Sequence, residues 1–547
     1  MKETLRQTMA WLHTWVGLVA GWVLFFVFVT GTTGYFQQEI TRWMEPERPL
    51  EVAPAPYDSS ELVGLAMQRL EQVAPVAASW SITLPHQEAS GRGWNDFSIR
   101  WEEMPQPGHD FGARTTERLD PETGAVLPPE AEPRDTAGGF GLYRMHYSLH
   151  YLPYDWAIRI VGIATMLMLL AIVSGIVTHK KIIRDFFTFR PGKGQRSWLD
   201  AHNAVSVMAL PFFLMITYTG LVFFLFQYMP AGRDMLYGTG DDSVDAYYEE
   251  LYGEHEHAAI GRPAAPIAPL LKQAEAAWGK GHLASIAVER HKGEEPEIVL
   301  SRARIGLDYY IPPQLRFHAT TGARLPAEPR AGGGTLATAQ VMYSLHEGHF
   351  TGIWGRWLYF AAGLLGCGMI GTGLTLWAVK RRLRHLSEGR EADEHFGIRL
   401  VEVLNVATIA GLPLAVAGFF WANRLLPVAM LDRAAWEFHS LFAVWLGTLF
   451  YALGRPLRRA WIELLWATSA AFALIPVVNA LTTDRHLGVT LAHGDWVLAG
   501  FDLTMLGLGA AFALTAVKVA RRLKPQVPAA EGAATSSLEP ALKESRA

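Results

Sequence analysis

Four histidines near the ends of apolar stretches form two sets at matching positions in a duplicated sequence. His13 and His202 form one set, and His150 and His346 form the other. An ionisable side chain inside a bilayer is costly and usually marks a functional site. Two neutral imidazoles that face each other between helices suit the axial ligation of a b-type haem, whose apolar ring the Phe-, Leu- and Trp-rich surroundings can bury. The sequence therefore predicts two bis-histidine b-type haems, one for each set.

The matching positions come from an internal repeat. After both His13 and His202 a Thr-Gly pair follows, with the glycine 18 residues beyond the histidine, and the segments Tyr147–His150 and Tyr343–His346 both read Tyr-Ser-Leu-His. Because each copy contains two predicted crossings, both copies enter the membrane in the same orientation, and a pseudo-two-fold axis along the membrane normal can relate them. Equivalent histidines then lie at the same depth. We expect the first set to meet near the cytoplasmic side and the second near the outer side.

The identity of the outer ligands has alternatives. His146 precedes His150 by one helical turn, and His349 follows His346 by three residues. Either neighbour could replace the ligand beside it. The alignment of the two copies favours His150 and His346.

Two arginines are candidate partners for the haem propionates, which need cations at the membrane surface. Arg159 follows His150 by 9 residues, and Arg356 follows His346 by 10. The alternative is that both are ordinary interfacial arginines.

Copper or zinc in place of haem would need further ligands, and the neighbours of the first histidine set offer none.

Composition places the chain in a membrane and excludes several kinds of site. Of its 547 residues 50% are hydrophobic, 12% are aromatic and only 18% are charged, which is too apolar for an ordinary soluble protein. The net charge of -4 gives no basic excess for binding nucleic acid. The one cysteine, Cys367, cannot form an internal disulfide, a Cys-rich zinc site, a four-Cys or Rieske cluster, or a c-type haem attachment.

Eight apolar stretches are long enough to span a bilayer, which takes about 20 residues as a helix. They cover residues 12–36, 156–178, 201–228, 353–379, 400–420, 434–453, 461–481 and 496–517. An even number of crossings puts both termini on one side. The Lys- and Arg-rich short loops after the second, fourth, sixth and eighth stretches make that side cytoplasmic. We predict an α-helical polytopic protein of the bacterial cytoplasmic (inner) membrane, embedded in lipid.

The two long segments between these stretches are predicted to be periplasmic α/β modules. Each opens with an amphipathic helix, at residues 60–70 and 266–278, and continues into runs that alternate like strands, at 79–84, 97–101, 285–289 and 297–300. The full predicted division is helix 1 in 1–36, module 1 in 37–155, helix 2 in 156–178, a cytoplasmic loop in 179–200, helix 3 in 201–228, module 2 in 229–352, helix 4 in 353–379, a cytoplasmic loop in 380–399, four additional helices in 400–520 and a disordered cytoplasmic tail in 521–547.

The chain resembles the PepSY-associated transmembrane helix family, whose members include ferric-siderophore reductases of the bacterial inner membrane. The resemblance covers roughly residues 8–385 and rests on the order of several short motifs. These are Leu12–Gly17 with Thr30-Gly31, Leu149-His150, His202 with Thr219-Gly220, Leu345-His346, Gly355–Trp357 and Thr372-Gly373. The resemblance implies PepSY-like outer modules and electron transfer through haem. The four helices after residue 400 depart from the family pattern, and their function is not predicted.

A bis-histidine haem has no open coordination position, so it passes electrons and does not bind substrate at the metal. We therefore expect a haem-dependent oxidoreductase that reduces a periplasmic acceptor, with a ferric siderophore or other ferric chelate as the favoured substrate. The cytoplasmic loops contain no Rossmann-type glycine fingerprint, so the electron donor is expected to be a separate cytoplasmic protein or a quinol. The alternatives are electron supply to a periplasmic redox partner, a non-catalytic membrane anchor or regulator, and a transporter.

Overall fold

The architecture was established from a computed structural model of the whole chain. It describes residues 2–522 except 51–56, 88–93, 107–111, 129–131, 180–185, 189, 191, 241, 245, 248–257, 291–293, 305, 308, 311, 327–332 and 390–394. The predicted tail lies outside the described residues from 523 onward, as do parts of the predicted loops 179–200 and 380–399.

The described part of the chain is mainly helical, with one small set of strands. The helices are α1 Lys2–Gly34, α2 Gln37–Met44, α3 Ser59–Val73, α4 Gly138–Ser148, α5 Tyr154–Thr178, α6 Gln195–Met208, α7 Leu210–Phe223, α8 Leu225–Tyr228, α9 Ala231–Tyr237, α10 Ile267–Trp278, α11 Gly333–Glu347, α12 Ile353–Ser387, α13 Phe396–Asn405, a π-helical segment Val406–Gly411, α14 Leu412–Leu425, α15 Arg433–Gly454, α16 Leu457–Thr482, α17 Leu487–His493 and α18 Trp496–Arg522. The strands are β1 Ser79–Thr83, β2 His86–Gln87, β3 Trp94–Asn95, β4 Ser98–Glu102, β5 Arg114–Arg118, β6 Leu283–Glu289, β7 Glu297–Arg302 and β8 Gln314–His318.

Within the described residues, six helical segments are long and apolar enough to cross a membrane. They are Thr4–Gly34, Tyr154–Thr178, Ile353–Ser387, Phe396–Leu425, Leu457–Thr482 and Trp496–Arg521, and the bent pair α6–α7 makes a seventh if it counts as one span. The chain is thus a membrane protein with several apolar helices. Helix α15, where the sequence predicts a further span, is not among the six, so the predicted total of eight crossings stays a prediction.

The predicted span 201–228 is broken into two main helices. Helices α6 and α7 meet at a bend of 66°. Pro211 stands in the first turn of α7, and because proline lacks an N–H and clashes with the preceding turn, the helix cannot run straight through it. The bend lies between His202 on α6 and the Thr219-Gly220 pair on α7.

The two predicted modules share a single six-stranded antiparallel sheet. Its strand order is β5-β4-β1-β6-β7-β8, so each outer segment gives three strands and the copies join at β1 and β6. At this join Ile82 pairs with Ile286, and both side chains are buried. Helices α3 and α10 lie against the strands of their own segments. The edge strands that each copy would expose alone are thus paired with each other.

The long helices of the two copies pack around one another. Helix α1 contacts α5 and α12, α6 contacts α12, and α5 contacts α7. The shorter helices α4 and α11, which follow the two strand-forming segments, lie against α1 and α7. Helices α13 to α18 form a second group, which a buried polar network attaches to α2. In that network Arg424 lies over the Trp43 ring at 3.7 Å, and Trp43 donates to Asp502 at 3.0 Å.

Candidate functional site

The structure brings His13 and His202 together, with ring centroids 6.2 Å apart. Nδ1 of His13 lies 2.7 Å from the carbonyl oxygen of Ala171, and Nδ1 of His202 lies 2.9 Å from that of Met369. A carbonyl oxygen only accepts hydrogen bonds, so each Nδ1 carries the hydrogen. In a neutral ring the unprotonated Nε2 is then free to bind a metal, and the Nδ1–H bond fixes the orientation of the imidazole.

A second pair consists of His146 on α4 and His346 on α11, with ring centroids 6.0 Å apart. Nδ1 of His146 lies 2.7 Å from the carbonyl oxygen of Val27, and Nδ1 of His346 lies 3.0 Å from Oγ1 of Thr219. The Thr219 hydroxyl donates to the Met215 carbonyl, so it accepts from His346. Burial lowers the pKa of both histidines, which favours the neutral form that can act as a ligand.

A glycine on a neighbouring helix lets each of the four imidazoles approach closely. A Cβ at Gly31 would lie 2.5 Å from Nδ1 of His146, and one at Gly220 would lie 2.8 Å from Cε1 of His346. For the other pair, a Cβ would lie 3.1 Å from Cε1 of the histidine in both cases, Gly175 against His13 and Gly373 against His202. The recurring Thr-Gly motif therefore has a structural role, because its glycine makes room for a histidine of another helix.

Each histidine pair lines a cavity. The His13 cavity, which also includes His202, has a volume of about 600 Å³. The His146 cavity, which also includes His346, has a volume of about 290 Å³. Leu24 and Met168 line both cavities, so the wall between them is locally one side chain thick.

The predicted pairing of His150 with His346 differs from the structure. Helix α4 ends at Ser148, and Leu149 turns the chain in the left-handed region with φ of 41°. His150 is thereby carried off the helix face that presents His146. Its ring packs on Phe438 of α15, with centroids 4.2 Å apart. His146, the alternative ligand in the sequence, occupies the position opposite His346.

The other alternative, His349, also lines the His146 cavity, where neighbouring side chains hold its ring. Its ring stacks on Tyr309 at 3.7 Å, and its Nε2 pairs with Glu347. Tyr143 donates to the same carboxylate at 2.6 Å, and Tyr310 also donates to it. Although burial raises the pKa of Glu347, the hydrogen bonds from His349, Tyr143 and Tyr310 outweigh that effect and lower it. Glu347 is therefore an anion in the wall of the His146 cavity, a feature that the sequence did not reveal.

The two predicted propionate partners lie away from both cavities. Arg159 is exposed on α5, with its guanidinium 5.9 Å from the ring centroid of Trp156. Arg356 is fully buried, pairs with Glu39 and donates to the carbonyl oxygen of Tyr35 at 3.2 Å. Neither arginine is among the residues that line the cavities.

Within the described residues no three or more His, Cys, Asp or Glu side chains gather where they could hold a bare metal ion. Each cavity instead offers two imidazole nitrogens in apolar surroundings. Two axial imidazoles are what a haem iron needs from the protein, since the porphyrin supplies the other ligands.

Comparison with known proteins identifies the first two thirds of the chain. Residues 10–380 match the family model of the PepSY-associated TM region. No curated protein matches the chain. The matched region contains all four paired histidines and the glycines against which they pack. Because the match covers more than half of its length, this chain belongs to the PepSY-associated TM family.

Proposed function

We propose that this protein carries electrons across the bacterial inner membrane and holds two b-type haems, one between His13 and His202 and one between His146 and His346. The observation that carries the proposal is that both histidine pairs have their Nδ1 atoms hydrogen-bonded and their rings opposed at 6.2 Å and 6.0 Å across a cavity. Bound in this way, haem would pass single electrons by cycling between its ferric and ferrous states.

The residues of each site fit an apolar, planar ligand held at its centre. Aromatic and aliphatic side chains such as Phe28, Phe213 and Leu24 line the cavities. The Ala171, Met369 and Val27 carbonyls and the Thr219 hydroxyl orient the imidazoles through Nδ1. Ligand orientation by such bonds also raises the basicity of Nε2.

Buried apolar residues of the chain lie between the two proposed haem sites. Met168 and Leu24 separate the two cavities and are both buried, so water is kept from the partition. The residues of α1 connect both sites, because Gly17 lines the His13 cavity and Gly31 lines the His146 cavity. These residues are 14 positions apart, which is about 21 Å along a helix.

The proposed orientation of the two sites in the membrane rests on the distribution of basic residues. The basic stretch Lys380–Arg384 adjoins the His13 cavity, and the positive-inside rule puts it in the cytoplasm. The His146 cavity, formed by helices that follow the strand-bearing segments, then lies toward the periplasm. A separate cytoplasmic or quinol donor supplies electrons on the inner side.

The favoured acceptor is a ferric siderophore or another ferric chelate at the periplasmic face. Hard oxygen ligands bind ferric iron strongly, and one-electron reduction to ferrous iron weakens their hold and releases the metal. His13 with His202 and His146 with His346 would each hold a haem through two imidazole nitrogens, so a chelate would be reduced without binding to the iron of the cofactor.

A spectroscopic test uses the full chain purified in detergent from haem-replete cells. We expect low-spin b-type bands in the dithionite-reduced minus oxidised spectrum and about two haems per chain. A colourless preparation would overturn the proposal and favour a membrane anchor or a transporter. Mixing the reduced protein anaerobically with ferric chelates should reoxidise the haems and release ferrous iron. Haem-containing protein that is indifferent to every chelate would instead favour a periplasmic protein acceptor.

A further inference from the structure

The two cavities differ in the charge of their walls. Lys380, Arg381 and Arg384, at the end of α12, line the His13 cavity. The described residues that line the His146 cavity include no lysine or arginine, and their charged member is Glu347. The duplication has therefore produced two histidine pairs of similar geometry, but only one of them adjoins a cluster of cations.

Arg381 is held in place without a carboxylate. Its guanidinium carbon lies 5.5 Å from the ring centroid of Trp15 and 5.4 Å from that of Trp377, and the two indoles pack edge to face at 6.2 Å. Among the described residues no carboxylate oxygen lies within ion-pair distance of Arg381 or Lys380. The arginine is thus oriented by cation–π contacts, which leave its N–H groups able to donate to a ligand.

The neighbouring arginines provide a contrast. Arg382, one position further along α12, pairs with Glu402 at 3.1 Å and is not among the residues that line the cavity. Arg384 lines the cavity but also pairs with Glu388 at 2.9 Å. Among the described lysines and arginines that line this cavity, Lys380 and Arg381 are therefore the ones without a carboxylate partner, so they can pair with an anionic ligand.

Two further polar atoms, on residues that line the same cavity, are buried and have no protein partner within the described part of the chain. They are Nε1 of Trp377 and Oγ of Ser206. A buried polar atom without a partner costs free energy, and the indole N–H can only donate. The wall therefore presents donors and cations, which call for a ligand that carries acceptors and negative charge.

We propose that Lys380 and Arg381, with Arg384 beside them, bind the carboxylates of the haem held between His13 and His202. This inference rests on the proposed function and assigns carboxylate partners to the haem between His13 and His202, whereas the predicted partners Arg159 and Arg356 follow the outer histidines. Charge-assisted hydrogen bonds from an arginine to a carboxylate are among the strongest that a protein side chain makes. They fix the edge of the porphyrin toward the cytoplasmic end of α12, while the histidines hold its centre.

The test uses haem and haem dimethyl ester, in which both carboxylates are blocked. Full-length protein carrying His346→Ala, so that the His13 cavity is the remaining bis-histidine site, is produced without haem and titrated with each compound by absorbance. We expect haem to bind about tenfold or more tightly than the ester. The double variant Lys380→Gln/Arg381→Gln in the same background should bind haem about tenfold more weakly and lose most of the preference for the free acid.

Two comparisons separate this inference from general effects of charge at the membrane surface. Arg382→Gln removes the same charge from the same turn of α12 and should leave the preference unchanged. In a His13→Ala background, where the His146 cavity is the remaining site, Lys380→Gln/Arg381→Gln should not alter haem binding. Arg381→Lys should keep part of the preference for the free acid, because lysine retains the positive charge.

The inference is overturned if the parent protein binds haem and its dimethyl ester equally, or if the Arg382→Gln protein loses the preference as much as the double variant does. Equal binding would indicate that the cations serve anionic lipid headgroups or topology alone. Either result leaves the proposed function standing, since two-haem binding by the unmodified chain is measured separately. A chain that takes up no haem at all would contradict the proposed function instead.

Discussion

His146 and His346 lie on opposite walls of one cavity with ring centroids 6.0 Å apart, although they occupy different places in the duplicated sequence. Each follows a tyrosine by three residues, as Tyr143 precedes His146 and Tyr343 precedes His346. Helix α4 stops two residues short of His150, whereas α11 continues through His346. The first copy therefore places at the cavity a histidine that precedes its Tyr-Ser-Leu-His segment, whereas the second copy places there the histidine that ends the segment.

This relationship predicts a difference between two histidines of one short segment. If the proposed function holds, His146→Ala should lower the haem content from about two to about one per chain, as His346→Ala should, because each removes a nitrogen proposed to hold a haem. His150→Ala should retain both haems, since that ring packs against Phe438. The pyridine haemochrome assay, normalised to protein mass, measures the content. Loss of a haem in His150→Ala but not in His146→Ala would contradict the pairing seen in the structure.

The glycine contacts predict that a single methyl group disturbs one site. In Gly31→Ala the new Cβ would lie 2.5 Å from Nδ1 of His146, so the ring must move. The haem proposed for the His146 cavity should then be lost or become high-spin. Helix propensity acts the other way, because alanine in a helix is favoured over glycine by roughly 0.5–1 kcal/mol.

Gly507→Ala provides the matched control for this substitution. It lies on another apolar helix, α18, and a Cβ there meets no atom within 4 Å. It should leave the haem spectrum unchanged. Electron paramagnetic resonance separates low-spin from high-spin ferric haem, and identical spectra for Gly31→Ala and the unmodified protein would contradict the predicted crowding.

Much of the local structure could be predicted from the sequence, because periodicity is a local property. The alternating runs at 79–84 and 285–289 correspond to β1 and β6, and the amphipathic stretches at 60–70 and 266–278 correspond to α3 and α10. The repeat also predicted that His13 would meet His202, because the two histidines occupy equivalent positions in the two copies.

Long-range partners could not be predicted in the same way. Nothing local to β1 or β6 specifies that the two segments pair with each other, since any exposed strand edge is a possible partner. Arg356 and Arg159 occupy similar places in the two copies of the repeat. Arg356 nevertheless pairs with Glu39 and is fully buried, whereas Arg159 is exposed. The position of His150 depends on the left-handed conformation of Leu149, an unusual one for a residue other than glycine.

Because the two segments share one sheet, we expect a destabilising substitution in one segment to lower the stability of the neighbouring strand in the other. Ile286 on β6 is fully buried and pairs with Ile82 on β1. Ile286→Ala should cost about 2–5 kcal/mol locally and raise amide hydrogen exchange in both β1 and β6. Leu315→Ala on β8, at the far edge of the sheet, should raise exchange only within its own segment. If Ile286→Ala left β1 protected, the two segments would be folding independently.

The buried ion pair on α15 predicts the largest effect on stability. Arg433 and Glu437 are each 0% exposed and lie 2.7 Å apart. In Arg433→Met the buried carboxylate loses the cation beside it, which should destabilise the protein by about 3–5 kcal/mol. Asn423, Thr136 and the Ala137 N–H still bond to Glu437, but none of them neutralises its charge.

Comparison with an exposed pair and with a double variant shows whether burial is the cause. Arg455 pairs with Glu463 at the surface, so Arg455→Met should change the melting temperature little. Arg433→Met/Glu437→Leu removes both charges of the pair and should recover much of the stability that Arg433→Met loses, because neither member is left without its counter-charge. Melting curves of the detergent-solubilised proteins at one concentration give the comparison. A double variant less stable than Arg433→Met would show that Glu437 acts mainly through its bonds to the Thr136–Ala137 segment and not as the counter-charge of Arg433.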